Sequence, residues 1–214
     1  FIKDFPNLMT HALVSLQEAI YGLIIGVVLA FIIASLMDRF ETLEKALLPL
    51  LVVTQTIPTI AIAPLLVLWM GFGMAPKITL VVITTFFPIA VGLLDGYKSV
   101  DPDMIRLMKA MGANEKQVFY HVKFPASLPF FFSGLKISAS YAVVSAVISE
   151  WLGGFEGLGV YMTRSRKAYA FDRMFGVILV IVVISLLLML LVNILRDLSM
   201  PHLKAEKSRE ENAH

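Results

Sequence analysis

Cysteine is absent from this 214-residue chain, which excludes disulfides and thiolate metal sites and leaves the redox state of its compartment unreadable. Charge is scarce as well. Asp, Glu, Lys and Arg make up 16% of the residues, where a soluble domain carries about 25%. The net charge of +2 gives no basic surface for nucleic acid. The four histidines, at 11, 121, 202 and 214, are too scattered for a ligand set. Sequences of the form G-x-x-x-x-G-K-[ST], H-E-x-x-H and G-x-S-x-G are missing, so phosphate-loop nucleotide binding and two hydrolytic signatures have no support.

What fills the chain is apolar. Hydrophobic residues reach 58% and mean hydropathy is +0.81, the composition of an all-α polytopic membrane protein. Charge-free runs predict five transmembrane helices, near 13–37, 46–70, 78–95, 128–151 and 174–196. Residues 1–11 read as a loop or interfacial segment. The chain begins at Phe1 with no Met and no signal-peptide pattern, which leads to the expectation of a sixth, N-terminal helix missing from this sequence. The first run repeats Gly22, Gly26, Ala30 and Ala34 every four residues, a stripe that lets another helix approach closely, within this chain or in a second copy.

The second run, 46–76, is too long for one straight crossing and contains Pro49, Pro58 and Pro64. Proline in a membrane helix frees backbone carbonyls, which protein or a cavity must satisfy. Thr54, Gln55 and Pro58 are therefore candidates for lining a polar path, the alternative being a kinked packing helix whose Thr and Gln bond to neighbours. In the fourth span Ser138, Tyr141, Ser145 and Ser149 form a hydroxyl-bearing face. Ser145 and Ser149 are further candidates for lining the path. Glu150 ends an overlapping small-residue face next to Trp151, at the depth where aromatics collect. It is a candidate either for closing the path on the outer side or for a structural ion pair with Arg164 or Arg166. Residues 153–173 read as a Gly-bearing loop with room for one short helix, and 197–214 as a solvated tail.

The longest charge-rich interruption is 101–129. Asp101 followed by Pro102 is a helix start. Met104, Leu107, Met108 and Met111 then recur on one face, expected to be buried. Gly112 is placed for a left-handed C-cap. Asn114 and Gln117 restart a helix as a capping box, with Pro125 expected to limit it. The pattern predicts two short helices hinged at Gly112-Ala113, a docking element. Twelve of the Lys and Arg residues fall on the side that holds this stretch and six on the other, which puts the docking stretch and the tail in the cytoplasm.

This stretch resembles the cytoplasmic signature of ABC importer permeases: Glu-Ala-Ala, three residues, Gly, nine residues, Ile-x-Leu-Pro. Gly112 is followed by nine residues and then Val122-Lys123-Phe124-Pro125, while Arg106-Leu107-Met108 replaces Glu-Ala-Ala. Pro49-Leu50, Gln55-x-Ile57-Pro58, Pro64-Leu65, Trp69-x-Gly71-x-Gly73 and Glu150-Trp151-Leu152-Gly153 resemble the branch importing sulfonates, nitrate or thiamine precursors. Gly157-Leu158-Gly159-Val160-Tyr161-Met162 is similar to permeases for thiamine pyrimidine precursors. The resemblance implies a single permease domain over 1–214, with a coupling loop at 101–125 and no catalytic residues of its own. It implies docking of a separate ABC ATPase through Asp101, Arg106, Lys109, Ala110, Gly112, Ala113, Val122 and Pro125, with ATP and Mg bound by that ATPase. It further implies a second permease copy, as a homodimer, an extracytoplasmic substrate-binding protein, and residence in the inner membrane. Two other classes compete on the residues alone. An intramembrane enzyme would turn over substrate without any ATPase. An ion-coupled carrier would bring more ionisable groups into its spans.

Overall fold

The computed structural model describes residues 4–200, and every regular element in that range is helical. The helices are α1 (Phe5–Arg39), α2 (Glu41–Thr56), α3 (Thr59–Met70), α4 (Met74–Lys98), α5 (Pro102–Ala110), α6 (Glu115–Val118), α7 (Phe124–Gly153), α8 (Leu158–Lys167) and α9 (Phe171–Ser199). Among the described residues, α1, α4, the rod ending in α7, and α9 are long and apolar enough to cross a membrane. A fifth crossing is possible if α2 and α3 are one broken span. The tail expected to be solvated lies, from residue 201 onward, outside the described residues.

Residues 1–3 lie outside the described residues, and the reading of residues 1–11 as a loop or interfacial segment is corrected from Phe5 onward, where helix α1 begins. Pro6 stands in its first turn, where no N–H partner is needed. Leu8, His11, Ala12 and Ser15 follow as one buried face whose apolar members pack beside α8. At 35 residues and 1.5 Å per residue, α1 is about 52 Å long, well beyond the ~30 Å apolar layer of a bilayer. Its first turns therefore project past the charge-free run. At Ile57-Pro58 the missing proline N–H, and the extended conformation that proline imposes on Ile57, split the second run. Helices α2 and α3 meet there at 101°.

Helix α4 is the centre of the bundle, packed on α7 and α1. Small residues set these approaches. Gly22 and Gly26 of α1 lie against Val81 and Thr85, and Gly92 and Gly134 bring the backbones of α4 and α7 together. Gly22, Gly26, Ala30 and Ala34 are all buried, so the stripe packs within the chain.

The fourth span does not start near Leu128. Helix α6 runs through a π-helical turn (Phe119–Lys123) directly into α7, with Pro125 in the first turn of α7. The expectation that Pro125 ends the preceding helix is thus corrected. Proline removes one N–H and crowds the carbonyl four residues back, and a π turn widens the backbone spiral at that place.

Candidate functional site

At one end of the bundle, α4 ends at Lys98 and the chain enters the docking stretch. Asp101 accepts from the Asp103 N–H at 2.8 Å and caps α5. Arg106 pairs with Asp103 at 2.8 Å on the surface, and Ala110 closes the helix. Gly112 has φ +88°, a left-handed backbone that costs a side-chain-bearing residue energy. Ala113 N–H returns to the Met108 carbonyl at 3.0 Å. The Asn114–Gln117 capping box then forms in both directions, at 2.8 and 2.9 Å.

Three ties hold this hinged pair. Lys109 bridges the hinge to Glu115 at 2.7 Å. Lys123 in the π turn reaches both Asp38 oxygens at the end of α1, at 2.7 and 2.9 Å. The Phe119 ring packs 5.3 Å from that of Tyr97 on α4. Of these, the half-sheltered Lys123–Asp38 pair fixes position best, because exposed pairs such as Lys109–Glu115 contribute little. Val122 is half-buried and Pro125 exposed.

The face expected to be buried on α5 is corrected. Met104, Leu107 and Met111 are 51, 57 and 76% exposed, and the less exposed residues are Ile105 and Met108. Helix α5 touches chiefly α6, so among the described residues no neighbour covers its apolar stripe. A groove of about 1140 Å³ opens next to α6 and the π turn, lined by Phe31, Leu36, Phe40, Phe119 and Tyr120 with Arg39 and Lys116.

The polar path candidates fall into two separate sets. Thr54 and Gln55 are exposed at the end of α2, just before Pro58 caps α3. The Thr54 hydroxyl donates to the Leu51 carbonyl at 2.6 Å, and Gln55 contacts Thr54 at 3.5 Å. Ser145 and Ser149 are buried in the bundle instead. Ser145 donates to Thr84 Oγ1 on α4 at 2.9 Å, and Ser149 to the Ala146 carbonyl at 2.7 Å.

Glu150 is buried too, and neither arginine pairs with it. Arg164 donates to the Phe155 carbonyl, while the Glu150 carboxylate accepts from the Ser15 hydroxyl at 2.5 Å and the Gly159 N–H at 2.6 Å. Beside it stands a buried pair that sequence reasoning missed: Lys77 of α4 on Glu18 of α1, at 2.7 Å. Each residue flanks a charge-free run, so each looked like an ordinary end-of-span charge. Only the parallel packing of α1 on α4, which also sets Gly22 on Val81 and Gly26 on Thr85, reveals the pair. Nearby, the Tyr161 hydroxyl donates to Asp4, and together with Arg173 it holds that carboxyl below the usual carboxylate range. His11, another residue set aside in the sequence, accepts from the Gly157 N–H at 2.9 Å.

The histidines, cysteines and carboxylates of the described residues form no metal-holding cluster. The geometry is that of a bundle with a hinged two-helix projection at one end and a buried polar knot at the other.

Residues 22–205 match the family described as "Binding-protein-dependent transport system inner membrane component". A "Probable ABC transporter permease protein" of Haemophilus influenzae is 40% identical over 181 residues, covering 85% of this chain and 74% of the relative. The "Formylaminopyrimidine transport permease protein" of Halalkalibacterium halodurans is 36% identical over 197 residues, covering 92% and 79%. Among solved structures, one titled "Crystal structure of an amino acid ABC transporter with histidines" superposes with a TM-score of 0.70 at 18% identity, over 92% of this chain and 94% of that one.

Proposed function

Because the chain belongs to the family of binding-protein-dependent transport system inner membrane components, a non-catalytic, multi-pass permease of an ABC importer, we propose that the element formed by α5 and α6 is its coupling helix and that the elbow between α2 and α3 lines its path. The observation that carries the first assignment is the stripe of Met104, Leu107 and Met111, exposed on a helix that the Gly112 hinge aims and Lys109 ties to α6, while the π turn beyond α6 is held to α1 and α4. An apolar stripe on a positioned helix is the form of a helix-in-groove contact, and the ATPase supplies the groove. In this reading ATP and Mg stay on the ATPase. Closure of the ATPase dimer pushes α5, and the rigid rod through the π turn carries that displacement into α7. Asp101 and Asn114 cap the two helices, Arg106 and Lys109 present charge at the contact, and Ala110 and Ala113 keep the hinge narrow. Val122 and Pro125 anchor its far end.

The whole of 1–214 then acts as one permease domain with five crossings, α2 and α3 counting as one, a coupling loop at 101–125 and a cytoplasmic tail at 197–214. Among the described residues helix α2 has no buried side chain, which supports a second permease copy packing on it across a central path. Thr54, Gln55 and Pro58 face that path, with Ser145, Ser149 and Glu150 behind it stiffening the outer end. A substrate-binding protein delivers on that outer face. The absence of cysteine makes the orientation easy to test, since a single introduced cysteine is the whole signal. Lys116→Cys should label with an impermeant maleimide only after the membrane is opened, and Phe155→Cys in intact cells. Labelling of position 116 from outside reverses the orientation.

For the path, Gln55→Leu should lower transport while leaving association with the ATPase intact, since Thr54 and Thr56 beside it turn their hydroxyls back to the Leu51 and Val53 carbonyls and Gln55 is the larger polar group at the elbow. Wild-type transport by this variant removes Gln55 from the path. The proposed cargo is a pyrimidine precursor of thiamine, ahead of a sulfonate- or nitrate-type anion, on the 36% identity with the formylaminopyrimidine permease. In vesicles holding permease, ATPase and binding protein, ATP-dependent uptake of formylaminopyrimidine should resist competition by taurine and aliphatic sulfonates. Uptake of taurine instead overturns the assignment.

A further inference from the structure

The knot at the outer end contains more negative than positive charge. Glu18 and Glu150 are 0 and 1% exposed, and Lys77 is 5% exposed. Three of the four carboxyl oxygens have a donor: Lys77 Nζ on Glu18 Oε1, the Ser15 hydroxyl on Glu150 Oε1, and the Gly159 N–H on Glu150 Oε2. Glu18 lies three residues from Ser15 on the same buried face of α1, and Ser15 bonds Glu150, so the two carboxyls enter one pocket. Glu18 Oε2 is nevertheless the one buried side-chain oxygen or nitrogen among the described residues with no donor. Two bare carboxylates cannot bond to each other, because both only accept.

The charged groups on the neighbouring elements do not make up the difference. His11 accepts at Nδ1 from the Gly157 N–H, which a doubly protonated ring could not do, so it is neutral. Arg164 of α8 is turned to the Phe155 carbonyl. Asp4 and Arg173 pair with each other. The Glu156 side chain is exposed, and only its carbonyl approaches Lys77, at 3.4 Å. Ionising both glutamates would leave one uncompensated buried anion, at a penalty of several kcal/mol.

We propose that Glu18 and Glu150 share a single proton, so that Glu18, Glu150 and Lys77 form an electrically neutral buried cluster that caps α8. One proton supplies the missing O–H···O bond and leaves one carboxylate opposite one ammonium. Two carboxylates forced into one site characteristically hold a proton between them. The consequence reaches the outer surface through α8. Its first N–H groups, which no helix can satisfy internally, go to the knot: Gly157 to His11, Leu158 to Ser15 at 2.8 Å, and Gly159 to Glu150. Gly157 has φ +118°, and a Cβ there would run into the Glu150 carboxylate, so the loop is threaded directly over the pair. The inference is independent of the coupling, path and cargo assignments above.

Infrared difference spectroscopy of the full chain in detergent tests it directly. At neutral pH the wild type should show a protonated-carboxyl C=O band that shifts in D₂O. Glu18→Gln and Glu150→Gln should each abolish it, because an amide replaces the protonated partner and the remaining carboxylate neutralises Lys77. Each single variant should also melt close to the wild type. The double variant, which strands the buried Lys77 charge, should melt far lower than the sum of the single effects allows. Persistence of the band in either single variant, or additive melting losses, overturns the shared proton. Should a glutamine variant fail to assemble, the wild-type spectrum still decides, since a spectrum without the band at neutral pH overturns it.

Discussion

Gly112→Val is expected to leave the chain inserted and folded while abolishing stimulated ATP hydrolysis in the assembled transporter. The reason lies in what surrounds the residue. A Cβ at Gly112 would meet nothing within 4 Å, so the substitution creates no collision. Its whole effect comes from φ +88°. A left-handed backbone costs an ordinary residue about 1–2 kcal/mol, and a β-branched residue is a genuine outlier there. The hinge relieves that cost by rotating, which is easy because α5 touches chiefly α6. Rotation swings Met104, Leu107 and Met111 away from their present aim and pulls Lys109 from Glu115. The membrane bundle, built on α1, α4 and α7, does not feel it. Co-purification with the ATPase and hydrolysis measured on one preparation separate loss of docking from loss of coupling. Gly112→Asn, which tolerates the left-handed region better, should recover part of the activity. Normal docking and normal stimulated hydrolysis in the valine variant remove Gly112 as the pivot.

Much of the docking stretch was legible because its signals are local. A cap needs only a side chain and the N–H groups two or three residues on, so Asp101 with Asp103, and Asn114 with Gln117, could be read from neighbouring letters. The same holds for Gly112, where one residue type answers one backbone demand. The burial of the Met104, Leu107 and Met111 stripe was misread because periodicity marks a face that prefers cover without saying which molecule covers it. The π turn escaped for the opposite reason. Pro125 signals that the ordinary helical bond pattern fails, but a chain can stop there or widen its spiral. Lys123 bonded to Asp38, and Phe119 packed on Tyr97, hold the widened form.

The polar knot was the least legible part. Ser15, Glu18, Lys77 and Glu150 are separated by as many as 135 residues, and each has a conventional reading on its own. Glu18 and Lys77 pass for charges that end a span, and Ser15 for a tolerated polar residue in a helix. Their meeting depends on α1 extending past the apolar layer, and that in turn depends on Pro6 starting the helix. Reading residues 1–11 as a loop or interfacial segment concealed the first two turns of α1, and with them His11, the capping partner of Gly157. The Gly22–Ala34 stripe was more forgiving. A close approach was expected wherever it packed, and Val81 and Thr85 of α4 are the surfaces it meets.

Gly134→Ala is expected to damage the bundle in a way that no change of neighbouring side chain repairs. Its Cβ would press on the main chain of α4, colliding with the Pro88 carbonyl and lying 3.0 Å from the Pro88 carbonyl carbon and 3.2 Å from the Ile89 Cα. Backbone cannot rotate out of the way, so α7 must move off α4, and these two helices share the most extensive packing in the molecule. Overpacking typically costs about 1–3 kcal/mol, and a forced separation along this interface belongs at the upper end. At about 2–4 °C per kcal/mol for a chain of this size, the melting temperature should fall by ~6–12 °C. Gly26→Ala provides the control. There the added Cβ meets Thr85 Oγ1 at 2.5 Å, while Thr85 Cβ stays at 3.6 Å, an ordinary contact. Removing the hydroxyl with Thr85→Ala should therefore restore most of the stability lost in Gly26→Ala. No single substitution at Pro88 or Ile89 should do the same for Gly134→Ala, because the obstructing atoms belong to the main chain. A small melting shift in Gly134→Ala, or its recovery by Ile89→Ala, would mean that α4 and α7 can separate locally and that their contact does not hold the bundle rigid between the α5–α6 element and the buried polar knot.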